Sequence, residues 1–302
     1  MNRIPEFLKK GDTVAIVSPS GPIDSSYIEK AKEILSSWGL HVEVGKFATS
    51  RSGVFAGTDE QRSQDFQQAI SNEKIKAIIC SRGGYGAIRI VETLDYTPLI
   101  SNPKWVVGFS DITVFHSKLS TLGIATIHGA MPKNFSSVTV ESLESLKNIL
   151  FGTVLPIHWE SSKCDKIGTT SGTLVGGNLS ILYSLRGLNL EYDYSNTILC
   201  IEDLNEYLYH IDRMMQNLKL SGILGSIKGL IVGTMSDMKN GVDEYGTSVE
   251  NIILDAVKEY NYPVCFNFPT GHESLNSALI FGGEYQLKVG IENCSLYKLS
   301  TL

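Results

Sequence analysis

Ala77-Ile78-Ile79-Cys80-Ser81-Arg82-Gly83-Gly84-Tyr85-Gly86 is a short apolar run that breaks into three glycines within four positions. Further along, Trp105-Val106-Val107-Gly108-Phe109-Ser110-Asp111 repeats the plan, with an apolar run, a glycine, and then polar residues that open an amphipathic segment. Runs this short and rich in Val and Ile read as buried strands, and a helix-period segment after each reads as the crossover of a parallel sheet. Working outward, strands are expected at 13–18, 41–44, 77–80 and 105–107, with helices at about 26–38, 59–70, 87–94 and 112–122. The first half of the chain is therefore α/β.

The pattern changes past a helix expected at about 142–150, which ends at Phe151-Gly152. The polar stretch that follows, holding Ser, Lys, Asp, Gly and Thr, reads as a linker at 156–170 between an N-terminal domain (1–155) and a C-terminal domain (171–302). In the second part strands are expected at 172–175, 197–201 and 229–234 and helices at 179–185, 207–221 and 248–260. Strand-like pieces at 277–281, 285–289 and 295–299 close the chain.

Composition narrows the function classes. The 302 residues hold 26 Lys plus Arg against 32 Asp plus Glu, a net charge of −6 with no block of like charge, which argues against a nucleic-acid partner because phosphates call for a basic face. Five scattered cysteines (Cys80, Cys164, Cys200, Cys265, Cys294), odd in number and without a C-x-x-C pair, read as reduced thiols of a cytoplasmic protein. The apolar stretch after Lys9-Lys10 is too short for a signal-peptide core, and no run is long enough to span a membrane. Metal-ligand spacings are absent, as are the phosphate-binding glycine patterns, so no metal or cofactor is expected.

Four places can carry chemistry. Ser110 sits at a strand-to-helix turn, where a sharp bend lifts a hydroxyl clear of the sheet, although Ile112 replaces the second glycine of the usual G-x-S-x-G elbow. The same position is an ordinary helix N-cap, and on this feature alone capping is the commoner role of a serine. Gly83 and Gly84 let backbone N–H groups face a developing negative charge, as an oxyanion hole requires, or they form a plain tight turn. Glu202 and Asp203 emerge from the end of an apolar strand, so that one of them orients an imidazole or both begin the turn and cap the helix bearing Leu208, Ile211, Met215 and Leu218. His272 lies in the loop Pro269-Thr270-Gly271-His272-Glu273, the kind of segment that carries function on a rigid scaffold, and a solvated histidine fits equally. His128 and His210 read as structural, and Cys80 as core.

Taken in order, S-R-G-G-Y-G (81–86), V-G-F-S-D (107–111), H-G-A-M-P (128–132), L-V-G-G-N-L (174–179), I-E-D-L-N-E-Y-L-Y-H-I-D-R-M (201–214) and P-T-G-H-E (269–273) resemble the LD-carboxypeptidase family over nearly the whole chain. The resemblance implies a flavodoxin-like parallel-sheet N-terminal domain and a smaller, β-rich, swivelling β/β/α-like C-terminal domain. It implies a Ser-His-Glu triad of Ser110, His272 and Glu202, with oxyanion donors on Asp111 and on Gly84 or Gly83. Arg82, Tyr85 and Asn178 become candidate substrate-binding residues, and Arg89 is a second arginine near the glycine turn. The implied substrate is a small peptide, a murein tetrapeptide whose terminal D-alanine is removed in cell-wall recycling, and the implied assembly is a homodimer. A related branch hydrolyses peptide-nucleotide antibiotics of the microcin C type. A non-catalytic peptide-binding module would lack a triad member, and a glutamine amidotransferase would need Cys at position 110.

Overall fold

The structure, a computed structural model, describes residues 2–299. The described chain divides into two compact units, Asn2–Val154 with Ser274–Gly282, and Leu155–Glu273 with residues 283–299.

In chain order the strands are β1 Thr13–Val17, β2 His41–Val44, β3 Ile75–Cys80, β4 Trp105–Gly108, β5 Thr126–His128, β6 Ile157–Glu160, β7 Gly168–Asn178, β8 Thr197–Leu204, β9 Gly229–Ser236, β10 Val264–Cys265, β11 Leu279–Phe281, β12 Glu284–Val289 and β13 Asn293–Lys298. The first unit holds a six-stranded sheet in the order β11-β5-β4-β3-β1-β2. Its β1 to β5 run parallel in the flavodoxin-like order 2-1-3-4-5. Such a sheet is covered on both faces, which is why its strands read as unbroken apolar runs. Val14, Ile16, Ala77, Ile79, Trp105 and Val107 pack on one face with Ile28, Ala31 and Leu35 of the helix Ser25–Ser37. Alternate residues Ala15, Val17, Ile78 and Val106 point the other way. That side is covered by the helices Asp59–Ser71 and Thr113–Thr121, whose Phe66 and Phe115 stack with ring centroids 4.4 Å apart.

The second unit is built on a seven-stranded sheet, β10-β9-β8-β7-β12-β13-β6. Its β7 to β10 are parallel, and β7, β12, β13 and β6 are antiparallel neighbours. Leu199, Ile201, Leu230 and Val232 form a core with Ile211, Met214, Met215 and Leu218 of the helix Leu208–Leu220 and with Ile252, Ile253 and Val257 of the helix Val249–Val257.

Three departures from the sequence reading bear on the layout of the sheets. The segment 156–170, read as a linker, contains β6, which the strand order places at the edge of the second sheet and whose alternation of half-buried and exposed positions turns one face to solvent. The piece 277–281, read as part of the C-terminal domain, returns as β11 to the first sheet and pairs antiparallel with β5. The sequence reading has no strand at β5, whose three residues are fewer than a periodicity needs to register. No helix among the described residues is long and apolar enough to cross a membrane.

β4 and β5 close over a buried aromatic layer in which His128 packs against Phe109, His116 and Phe281. The Nε2 of His116 lies 2.9 Å from the Gly108 carbonyl, which can only accept, so the neutral ring is protonated at Nε2. Burial pushes the His116 imidazole down from 6.5 to about 4. A group buried neutral contributes stability that is complete above its unfolded pKa and is lost as pH falls towards the folded value. Unfolding free energy measured by urea denaturation is thus expected to fall by about 2–3 kcal/mol between about pH 6.5 and pH 4 on account of His116. The same series on His116→Gln, which keeps the donor but does not titrate, is expected to lack that component. An identical pH dependence in the two proteins would refute the assignment.

Candidate functional site

The first unit brings together the loops that leave β1, β3 and β4 at their carboxyl ends, beside the point where the strand order reverses and α/β sheets place their sites. After β4, Phe109 is extended and Ser110 turns to φ 62°, the left-handed region that costs a residue with a Cβ about 1–2 kcal/mol. The chain enters a 3-10 turn at Ser110–Ile112 and then the helix Thr113–Thr121. Neither helical start carries a side-chain cap, so the capping role open to Ser110 in the sequence is not the one it plays. Its hydroxyl is held out on a sharp, strained strand-to-helix turn, the arrangement that presents a nucleophile.

The glycine turn is pressed against this serine. A Cβ on Gly83 would lie 2.9 Å from Ser110 Oγ and 3.3 Å from the Asp111 nitrogen, so only glycine leaves that space open. Among the described residues, the backbone N–H groups of Gly83, Gly84 and Asp111 meet no acceptor. Gly83 and Asp111 are buried and Gly84 is exposed beside them. Buried backbone donors are almost always paired, so the two unpaired buried N–H groups next to a strained serine are able to donate to an external oxygen. The Gly83 carbonyl is committed in the other direction, accepting from the Gly21 N–H at 3.1 Å.

Arg82 and Tyr85 flank this turn. The Arg82 guanidinium donates to the carbonyls of Pro22 and Gly83, at 3.0 and 3.3 Å, which fastens the loop after β1 to the glycine turn. Tyr85 is half exposed and its ring packs 5.7 Å from that of Phe55. Arg89 is paired with Asp59 at 2.6 Å. Cys80 is core, its thiol driven far upward by burial.

The second unit holds a carboxylate–imidazole pair. Along β8, Leu199 and Ile201 face the helix-covered core, and Glu202 takes the opposite face by alternation. Glu202 is completely buried, and its Oε2 lies 2.7 Å from His272 Nδ1. That contact fixes the ring with Nδ1–H donating, which leaves Nε2 as the basic nitrogen. Neither Glu202 nor Asp203 caps the helix Leu208–Leu220, whose N-cap is Tyr207. Asp203 instead accepts from Asn178 Nδ2 at 2.9 Å and from the Ser180 N–H at 2.8 Å. Asn178 caps the short helix Leu179–Ser184 by accepting from the Ile181 N–H.

His272 is held by its backbone as well. Its N–H donates to Thr234 Oγ1 at 3.0 Å, and the preceding Gly271 adopts φ 127° with no room for a Cβ, which would lie 2.2 Å from the same oxygen. The side chain is only 14% exposed, so His272 is not a solvated histidine. Burial lowers its pKa, but the hydrogen bond it donates to Glu202 and the charges of Glu202, Asp203 and Glu273 outweigh that and hold it above 6.5. Burial, with the charge of Glu202 alongside, pushes the Asp203 carboxyl up to about 7. His210 pairs with Glu206 at 2.6 Å.

Sequence reasoning missed Ser20, Arg62 and Thr234, the residues that hold these groups in place. Ser20 and Arg62 are almost wholly buried polar side chains far from Ser110 in sequence, and no local pattern marks them.

Residues 14–129 match the LD-carboxypeptidase N-terminal domain and residues 171–287 the LD-carboxypeptidase C-terminal domain. A probable murein peptide carboxypeptidase of Bacillus subtilis is 32% identical over 94% of this chain and 91% of its own. The crystal structure of muramoyltetrapeptide carboxypeptidase from Oxalobacter formigenes has a TM-score of 0.86 at 29% identity, covering 96% of this chain and all of that one. The microcin C7 self immunity protein MccF, in complex with aspartyl sulfamoyl adenosine, has a TM-score of 0.86 at 21% identity over 98% of each chain and shares the fold. Fold and relatives define a hydrolase, a serine-type carboxypeptidase. The chain belongs to the LD-carboxypeptidase family.

Proposed function

We propose that this carboxypeptidase removes the terminal D-alanine from murein tetrapeptides by an acyl-enzyme mechanism in which Ser110 is the nucleophile, His272 the general base and Glu202 its orienting carboxylate. The observation that carries the proposal is the completeness of the parts: a strained serine beside unpaired N–H donors in one unit, and a buried Glu–His pair with a basic Nε2 in the other. His272 takes the hydroxyl proton as Ser110 Oγ attacks the scissile carbonyl, and later returns it to the leaving amine. Glu202 keeps the ring in the tautomer that serves and stabilises its charged form. The N–H groups of Asp111 and of Gly84 or Gly83 receive the oxyanion, and water releases the acyl group.

The choice of a murein peptide is supported by the name of the B. subtilis relative, and that of a tetrapeptide by the name of the O. formigenes one. A role in recycling cell-wall fragments in the cytoplasm agrees with five cysteines that are all free thiols. The test is mass-spectrometric detection of free D-alanine after incubation with L-Ala-γ-D-Glu-meso-diaminopimelate-D-Ala, the lysine-containing tetrapeptide and an aminoacyl-sulfamoyl nucleotide. D-Alanine from either tetrapeptide supports the proposal and identifies the diamino acid preferred. Cleavage of the nucleotide alone would transfer the chain to the microcin branch, and inertness towards all three would leave a peptide-binding module.

A further inference from the structure

Two buried side chains of opposite charge hold the same loops around Ser110. Asp111, 1% exposed, directs Oδ2 to the Ser20 hydroxyl at 2.6 Å and to the Ala87 N–H at 2.9 Å. One carboxylate oxygen thereby joins the serine turn after β4 to the loop after β1 and to the end of the glycine turn after β3. Arg62, also 1% exposed, reaches the same two loops from the helix Asp59–Ser71, donating through one nitrogen to the Pro19 and Gly86 carbonyls. Its other terminal nitrogen pairs with Asp59. Between these two anchors the Gly21 N–H and Arg82 Nε donate to the Gly83 carbonyl and Arg82 also donates to the Pro22 carbonyl, so the loop after β1 and the glycine turn that lies against Ser110 are tied to each other as well.

A buried ionic arrangement is a poor source of net stability, because the Coulombic gain is largely offset by desolvation. What it supplies is a fixed geometry, and here the geometry fixed is the spacing between the glycine turn and the serine turn. We propose that Ser20, the Asp111 carboxylate and Arg62 form a positioning clamp that sets the oxyanion-hole N–H groups at their working distance, acting through the backbone and touching no substrate. This rests on the reading of Ser110 as nucleophile and of the unpaired N–H groups as oxyanion donors. Asp111 then has two separable duties, the backbone N–H facing the reacting oxygen and the side chain anchoring the loops behind it.

The clamp predicts a pattern that a merely structural residue would not produce. Preorganised donors act on the charged tetrahedral species and little on the ground state, so displacing them lowers kcat and leaves KM nearly unchanged. Ser20→Ala removes one hydroxyl and no buried volume of consequence. Its kcat for D-alanine release is expected to fall by about 10- to 100-fold, with KM within about twofold of the parent. The inhibition constant of a boronic-acid analogue of the tetrapeptide, which mimics the tetrahedral species, is expected to rise by the same factor as kcat falls. Ser20→Thr, which restores the hydroxyl, is expected to recover most of both if it folds by circular dichroism. If it does not, the parallel loss of kcat and analogue affinity in Ser20→Ala decides the matter.

Parent-like kcat and analogue affinity in folded Ser20→Ala would overturn the clamp, as would a loss confined to KM or to thermal stability. Ser110→Ala is measured alongside to separate the two readings. An inactive Ser110→Ala beside a parent-like Ser20→Ala refutes the clamp alone, and an active Ser110→Ala refutes the nucleophile assignment and the clamp with it.

Discussion

Ser110→Ala is expected to lower kcat/KM for D-alanine release by about 10⁴-fold or more, with circular dichroism and thermal midpoint close to those of the parent. The size follows from chemistry: without Oγ there is no acyl-enzyme, and the remaining donors and binding contacts retain only the residual acceleration that serine hydrolases show when a triad member is removed. The unchanged fold follows from the local structure. Ser110 caps no helix, and its φ of 62° is a strain that alanine bears at similar cost, so little stability depends on the hydroxyl. Rate is measured by quantifying D-alanine, and incubation of the parent with a fluorophosphonate, followed by peptide mass mapping, should place the adduct on Ser110. Retention of more than a small fraction of activity would remove Ser110 from the mechanism.

The Glu202→Gln variant is expected to lose about 10³- to 10⁴-fold in kcat and to move the acidic limb of the pH profile downward. In the parent the imidazole is held above 6.5, since the hydrogen bond and charge of Glu202, with Asp203 and Glu273, overcome the burial that opposes them. A general base must be neutral, so kcat/KM of the parent rises with pH through a midpoint above 6.5. Glutamine keeps an acceptor for Nδ1–H but brings no charge. Burial then weighs more heavily on the imidazolium, and its pKa falls. The residual activity of the variant should therefore persist to lower pH than that of the parent, even though its maximum is far lower. Profiles of kcat/KM from about pH 5 to pH 9 on both proteins test this, and an acidic limb that stays in place would show that another group controls it.

The candidate residues divide into those a reader of the sequence can see and those that are hidden. Gly83, Gly84, Ser110 and His272 are legible because glycines after an apolar run, a serine at a strand end and a histidine in a loop each have a local physical meaning. Glu202 and Asp203 are legible only as a pair. Patterning alone could not choose between them; the resemblance to the family selected Glu202, and its side chain is the one 2.7 Å from His272, while Asp203 turns to Asn178 and Ser180. The difference is a single step of strand alternation, whose direction depends on which face the helices cover.

The clamp residues had no local signal. Ser20 in a proline-flanked turn and Arg62 in a polar helix look like surface residues, and their burial arises because loops distant in sequence close over them. The same holds for β11, whose three apolar residues are compatible with either sheet until β5 offers its edge.

By itself the sequence determined the elements and their class: period-two and helix-period patterns, glycines at turns and buried apolar runs are set by local backbone preferences and by how much apolar surface each segment must bury. The tertiary structure alone decided which strand pairs with β5, which carboxylate meets His272, the positive φ of Ser110, and the union of Ser20, Asp111 and Arg62 behind it. Those features arise from contacts between segments far apart in the chain, whose free energies exist only once the sheets and helices have closed around them.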